Sequence, residues 1–232
     1  MNRTLATLAF AVALAWAPEA EAQIGLLFAF EGFGYEAHDF DPGNYLALGE
    51  GYEMVGVVTS VGSWVAPGVD MATHQYTLHL SGLTVVERQI ILVPEQVLFV
   101  RFADNARVLF YEDPIVGGTP ASYGVDPPNA TSPSTFTDGQ LVLGGEVDQF
   151  QLYYDFSQGY GGFQSNRVDY LTGRLLESGY VPFQSSWWLH GYLNEPPGTP
   201  PAGYRDPFAG VSDIPIDPVQ RSTWGAIKRT YR

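Results

Sequence analysis

Glycine and proline interrupt this chain too often for long helices. A proline inside a helix removes a backbone donor and a glycine costs about 1 kcal/mol relative to alanine, yet 26 glycines and 17 prolines fall among the 232 residues. Aromatic residues make up 14%, and together with Val and Thr they favour strands. Where the chain is uninterrupted, the apolar pattern has a period of two. Tyr76, Leu78 and Leu80 alternate with Gln75, Thr77 and His79, as in a half-buried strand. The chain therefore reads as all-β, and a helical bundle is excluded.

Strands are predicted over 24–30, 52–61, 74–80, 85–93, 97–102 and 107–111, with Pro94 and Asp104-Asn105 marking turns. The pattern resumes over 140–154, where Gly144-Gly145 suggests a bulge or a close backbone approach, and again over 168–176 and 183–193. Two stretches, 112–139 and 195–218, carry too much Pro and Gly for regular structure and read as loops. Eight to ten antiparallel strands of this kind predict a β-sandwich, with a closed β-barrel as the alternative. Asp217-Pro218 can cap a short helix towards the basic C-terminus, which carries Arg221, Lys228, Arg229 and Arg232.

The first residues have a different logic. Arg3 precedes an apolar run from Leu5 to Ala17, and Ala20-Glu21-Ala22 places small residues where signal peptidase reads them. The run is too short for a hydrocarbon core of about 30 Å, so residues 1–22 are expected to be a cleaved export signal. Residues 23–204 form the expected sandwich domain, and 205–232 a Pro-containing linker with a basic helix or tail. No later stretch is apolar over 18 residues, so a transmembrane segment is not expected. The protein is expected in the periplasm, outside the cell or on its surface.

Charge and cysteine usage exclude whole classes of function. The net charge is −14, or −13 once Arg3, Glu19 and Glu21 leave with the signal, and such a surface repels phosphate backbones, so nucleic acid is not an expected partner. The chain has no cysteine, which removes disulfides, thiolate metal sites and thiol nucleophiles. No nucleophile elbow, P-loop or dinucleotide-binding glycine motif occurs, and no cofactor is expected.

Three groups of residues remain. Gly145-Glu146-Val147-Asp148-Gln149-Phe150-Gln151 resembles the catalytic strand of laminarinase-like retaining glycoside hydrolases, in which carboxylates alternate along one face. That chemistry needs two carboxyl groups about 5 Å apart, and Gln149, Phe150 or Gln151 stands where the acid/base belongs. No catalytic residue is therefore assigned. His38, His74, His79 and His190 lack zinc-site spacing and read as solvated. Asp39 and Asp41, beside Glu36 and His38, offer hard oxygens to a structural Ca²⁺ without EF-hand spacing. Trp187 and Trp188 face opposite sides of a strand, so one can fill the core while the other, with Tyr192, stacks on a sugar ring; alternatively the Pro-rich loops cover both. Trp187, Trp188 and Tyr192 are the candidate ligand-binding residues, and Tyr153, Tyr154, Tyr160 and Phe163 would extend their surface if they converge on it.

The segments Tyr111–Pro114, Asp126–Gly139 and Leu141–Gly145, with the ending Ser222–Lys228 and Tyr231-Arg232, resemble those of uncharacterised exported β-rich bacterial proteins, some of which carry a hydrophobic sorting anchor. The resemblance implies export and a β fold, and no site residue. The expectation is a non-enzymatic surface or secreted module, binding or structural. Its expected partner is an extracellular polysaccharide or a cell-surface protein. Carbohydrate binding through exposed aromatics is the first alternative, and a glycoside hydrolase using Glu146 and Asp148 the second.

Overall fold

The computed structural model describes residues 25–36, 45–91, 96–123, 134–181, 185–193, 200–201 and 203–214. They form ten antiparallel strands: β1 (Leu26–Glu36), β2 (Gly51–Val61), β3 (His74–Ile91), β4 (Val97–Phe102), β5 (Ala106–Pro114), β6 (Gln140–Asp148), β7 (Gln151–Asp155), β8 (Tyr160–Thr172), β9 (Ser185–Leu193) and β10 (Asp206–Asp213). Helix is confined to a 3-10 turn at Ala66–Gly68 and one turn at Arg174–Glu177. The expected export signal over 1–22, the calcium candidates Asp39 and Asp41, His38 and the expected C-terminal helix lie outside the described residues.

The all-β, antiparallel reading holds, but the expected sandwich does not: the sheet closes into an eight-stranded barrel, the alternative architecture. The circuit runs β2-β1-β10-β9-β8-β6-β5-β3 and returns through pairing of β3 with β2. Strands β4 and β7 form a second route between β3 and β8, so a circuit through them also has eight strands. Alternation is the same in a sandwich strand and a barrel strand; long-range pairing decides between them. The strand that joins β1 to β9 is β10, which lies past the boundary drawn at residue 204 and within a stretch expected to be irregular. Pro207 and Gly210 conceal it, since both are depleted in strands.

Bulges and corners divide the two circuits. The stretches 74–80 and 85–93, read separately, belong to one strand through residue 91. Tyr52 pairs with Leu83 but Met54 with Leu80, so β3 carries an extra residue at Ser81-Gly82, where Gly82 takes a φ of 76° that suits glycine. The first half of β3 pairs with β5 and the second with β4. The run 140–154 splits into β6 and β7 at Gln149, which has a φ of 55°. Its backbone N–H donates to Asp104 Oδ1 at 3.0 Å, and Asn105 N–H donates to Asp148 Oδ1 at 3.4 Å. The corner between β4 and β5 thus holds the corner between β6 and β7. A register shift between β6 and β8 falls at Gly144/Gly145, where the two glycines suggested one.

The barrel interior is filled with aromatic rings. Phe28 stacks on Phe110 with centroids 4.5 Å apart, and contacts run from Phe102 through Phe150 and Phe163 to Phe208 and Phe30. Glycines in the wall make the room. A β-carbon on Gly191 or Gly210 would stand 2.6 or 2.7 Å from the tip of Phe163. The barrel is a packed core rather than a pore, and no described helix is long and apolar enough to cross a membrane. At one end Leu46 joins this core, and Tyr45 and Tyr52 both donate to Asp206 Oδ2, at 2.6 and 2.9 Å.

The stretch 112–139, expected to be a surface loop, instead contributes to a second small core outside the barrel. Phe136 is fully buried there with Tyr35, Val55 and Tyr204, and Tyr123 packs on them. Phe136 is held by its carbonyl, which accepts from Thr77 Oγ1 at 2.8 Å.

Candidate binding face

Strand β9 alternates as its sequence predicts. Trp187, Leu189 and Leu193 are fully buried, while Trp188 is 40% and Tyr192 62% exposed. Trp187 meets Trp64 and Tyr170 edge-on, with centroids 6.1 and 6.0 Å apart. It is a core residue, so its candidacy as a ligand contact is withdrawn. Trp188 and Tyr192 share the outer face, with His190 between them.

Register brings other aromatics beside Tyr192. Across the outer face, Ala209 on β10, Tyr192 on β9, Gly162 on β8, Tyr153 on β7, Phe99 on β4 and Gln89 on β3 are successive cross-strand partners. Tyr153 is 38% and Phe99 45% exposed, and their ring centroids lie 6.5 Å apart. Gly162 has no side chain, and the ring of Tyr153 occupies the place of one. The sequence candidate Tyr153 therefore joins this face. Phe163 points into the core, Tyr154 packs against the core from part-burial, and Tyr160 is exposed at the start of β8.

A polar row runs beside the aromatic one, two residues further along each strand: His190, Gln164, Gln151, Arg101 and Glu87, with Val211 on β10 flanking His190. Arg101 Nε donates to Glu87 at 3.0 Å. His190 Nε2 lies 3.3 Å from Asp213, and that hydrogen bond holds its pKa above the usual 6.5 against the opposing effect of burial. Beside Phe99 the surface dips into a depression of about 220 Å³ lined by Glu87, Gln89, Arg101 and Gln151. Flat rings next to amide, guanidinium and carboxylate groups can hold a ligand with apolar faces and a hydroxylated edge.

The hydrolase-like strand is arranged differently. Glu146 is exposed on the outer wall, opposite Asp169 on β8 and Arg107 on β5. Register thus supplies the neighbouring carboxylate that the motif lacks, but Asp169 Oδ2 accepts from Arg167 Nε and Nη2 at 2.9 and 2.5 Å. Gln149 sits in the corner and Phe150 is fully buried, so neither brings a proton-transferring group to Glu146. The described histidines, read as solvated, have partners: His74 Nδ1 lies 2.9 Å from Thr73 Oγ1 and His79 Nε2 2.8 Å from Glu53. Among the described residues no group of three or more His, Asp or Glu is placed to hold a metal ion.

Sequence reasoning did not find Phe99, Gln89 or the polar row, which meet only through register across five strands. It also missed a polar cleft of about 460 Å³ lined by Asp70, His74, Tyr76, Glu112, Arg174 and Tyr180. There Arg174 ties Glu112 Oε2 to the carbonyl of Gly68, and Tyr76 donates to the same carboxylate at 3.1 Å. This cluster clamps the helical turn to β5. Comparison with protein-family models, curated proteins and solved structures finds no match for the chain.

Proposed function

We propose that this protein is an exported, non-catalytic binding module that holds carbohydrate on the outer face of β4, β7, β8 and β9. The observation that carries the reading is the single row of Tyr192, Tyr153 and Phe99 on one face. Contiguous exposed apolar surface commonly marks a recognition site, and flat rings stack on the apolar faces of sugars. The polar row supplies the hydrogen-bonding partners that fix a ligand's orientation. The export signal over residues 1–22 would deliver the domain to the compartment where polysaccharides are met.

The test is a pull-down of residues 23–232 on a panel of insoluble polysaccharides, with Tyr192→Ala and Tyr153→Ala as variants. Retention on at least one polysaccharide, lost in both variants, is the expected result. Retention that neither variant reduces would remove this face from the function, and absence of retention would direct the search to cell-surface proteins.

A further inference from the structure

We infer that the ligand is an uncharged, linear polysaccharide lying across the strands, its rings on Tyr192, Tyr153 and Phe99 and its hydroxylated edge along Gln164, Gln151 and Arg101. The inference rests on the carbohydrate reading above and adds orientation, length and charge.

Orientation follows from the register. The exposed rings share a row, not a strand: from Tyr192 the next outward residue on β9 is His190, and from Tyr153 the next on β7 is Gln151. A chain aligned with β7 would meet Tyr153 and then Gln151, and one aligned with β9 would pass from Tyr192 over His190 to Trp188, two exposed rings at most. A chain laid across the strands meets all three of the row.

Length follows from strand spacing. Tyr192 and Phe99 are separated by three inter-strand steps through Gly162 and Tyr153, about 14 Å along the wall. A single sugar covers only part of that distance, whereas a trisaccharide covers it. The missing side chain at Gly162 leaves space for the Tyr153 ring to reach from β7 over β8 towards Tyr192, and on its other side that ring meets Phe99. The polar row lies two residues away, about 7 Å along each strand, within reach of the edge of a sugar whose face rests on the aromatic row. The depression beside Phe99, lined by Gln89, Gln151, Arg101 and Glu87, offers donors and acceptors at one end of the path.

Charge follows from pairing. The cationic groups of the polar row are already matched, Arg101 by Glu87 and His190 by Asp213, and the chain as a whole carries −14. An acidic polymer would be repelled without local compensation.

The experiment is calorimetric titration of residues 23–232 with cello-, xylo-, manno- and chito-oligosaccharides from the monosaccharide to the hexasaccharide, and with oligogalacturonates as the charged series. Wild type, Tyr192→Ala and Phe99→Ala are compared, with thermal unfolding as the control for folding. The expected result is affinity that climbs with each ring to the trisaccharide and then levels. On the trisaccharide and longer, each variant should lose about tenfold. Affinity already complete at the mono- or disaccharide, or loss in Tyr192→Ala with none in Phe99→Ala, would overturn the transverse path while leaving carbohydrate binding intact. Tighter binding of the oligogalacturonates would overturn the uncharged ligand alone. Absence of binding to every series would overturn both the inference and the proposed function.

Discussion

The ring of Tyr153 lies over its cross-strand partner Gly162: a β-carbon at residue 162 would stand 2.6 Å from Tyr153 Cε1 and 2.8 Å from its hydroxyl oxygen. The glycine is thus part of the aromatic surface, because it leaves the place that the ring occupies. Gly162→Ala should push the ring off the wall. Since the tyrosine is half exposed and can move, stability should change by only about 1 kcal/mol, while carbohydrate affinity should fall as far as in Tyr153→Ala. Denaturation and binding titration of the two variants check this.

The adjacent tryptophans should separate cleanly in a stability measurement. Trp187 is fully buried between Trp64 and Tyr170, so Trp187→Ala should lose about 3–5 kcal/mol. Its indole N–H has no partner among the described residues, so Trp187→Phe leaves no described acceptor unsatisfied and should be much milder. Trp188→Ala should stay within about 0.5 kcal/mol. Urea unfolding of the three variants tests the assignment.

Asp206 predicts a pH dependence. Burial raises its pKa above the usual 3.8, outweighing the hydrogen bonds from Tyr45 and Tyr52 and the attraction of Arg205, whose guanidinium lies over the Tyr45 ring. The folded state therefore holds this proton more tightly than the unfolded chain, so the contribution of Asp206 to stability falls as pH rises from about 3.8 through its elevated folded value. Glu36, also raised by burial, acts in the same direction; Glu53, where hydrogen bonds from His79 and Tyr35 outweigh burial, acts in the opposite one. Subtracting the profile of Asp206→Asn from that of wild type isolates the residue, and the difference should show this decline. Asp206→Ala should lose at least about 2 kcal/mol, because two buried hydroxyls lose their acceptor.

The residues that could be read from the sequence are those whose pattern is local. The alternation of β3 and β9 was legible, and with it the opposite orientations of Trp187 and Trp188. So was the irregularity at Gly144-Gly145, because paired glycines inside a strand pattern mark a departure from regular pairing. Closure was not legible, since it depends on Leu26 to Gly34 pairing with Asp206 to Asp213 across most of the chain, and Pro207 and Gly210 mask the second partner. The proposed binding face was half legible for the same reason. Tyr192 and Trp188 could be placed on one side of β9, but Tyr153 and Phe99 join the row of Tyr192 only once β4, β7, β8 and β9 are set in register. The burial of Phe136 outside the barrel was likewise hidden, because a Pro-rich stretch gives no period from which an inward face can be read.

The most direct test of the outer face is chemical-shift mapping of residues 23–232 by NMR during titration with a neutral hexasaccharide that the domain retains. The perturbed signals should cluster on Tyr192, Gly162, Tyr153 and Phe99, with the side-chain amides of Gln151 and Gln164. Perturbations centred instead on the Glu112–Arg174 cleft, with the aromatic row unmoved, would contradict the proposed face.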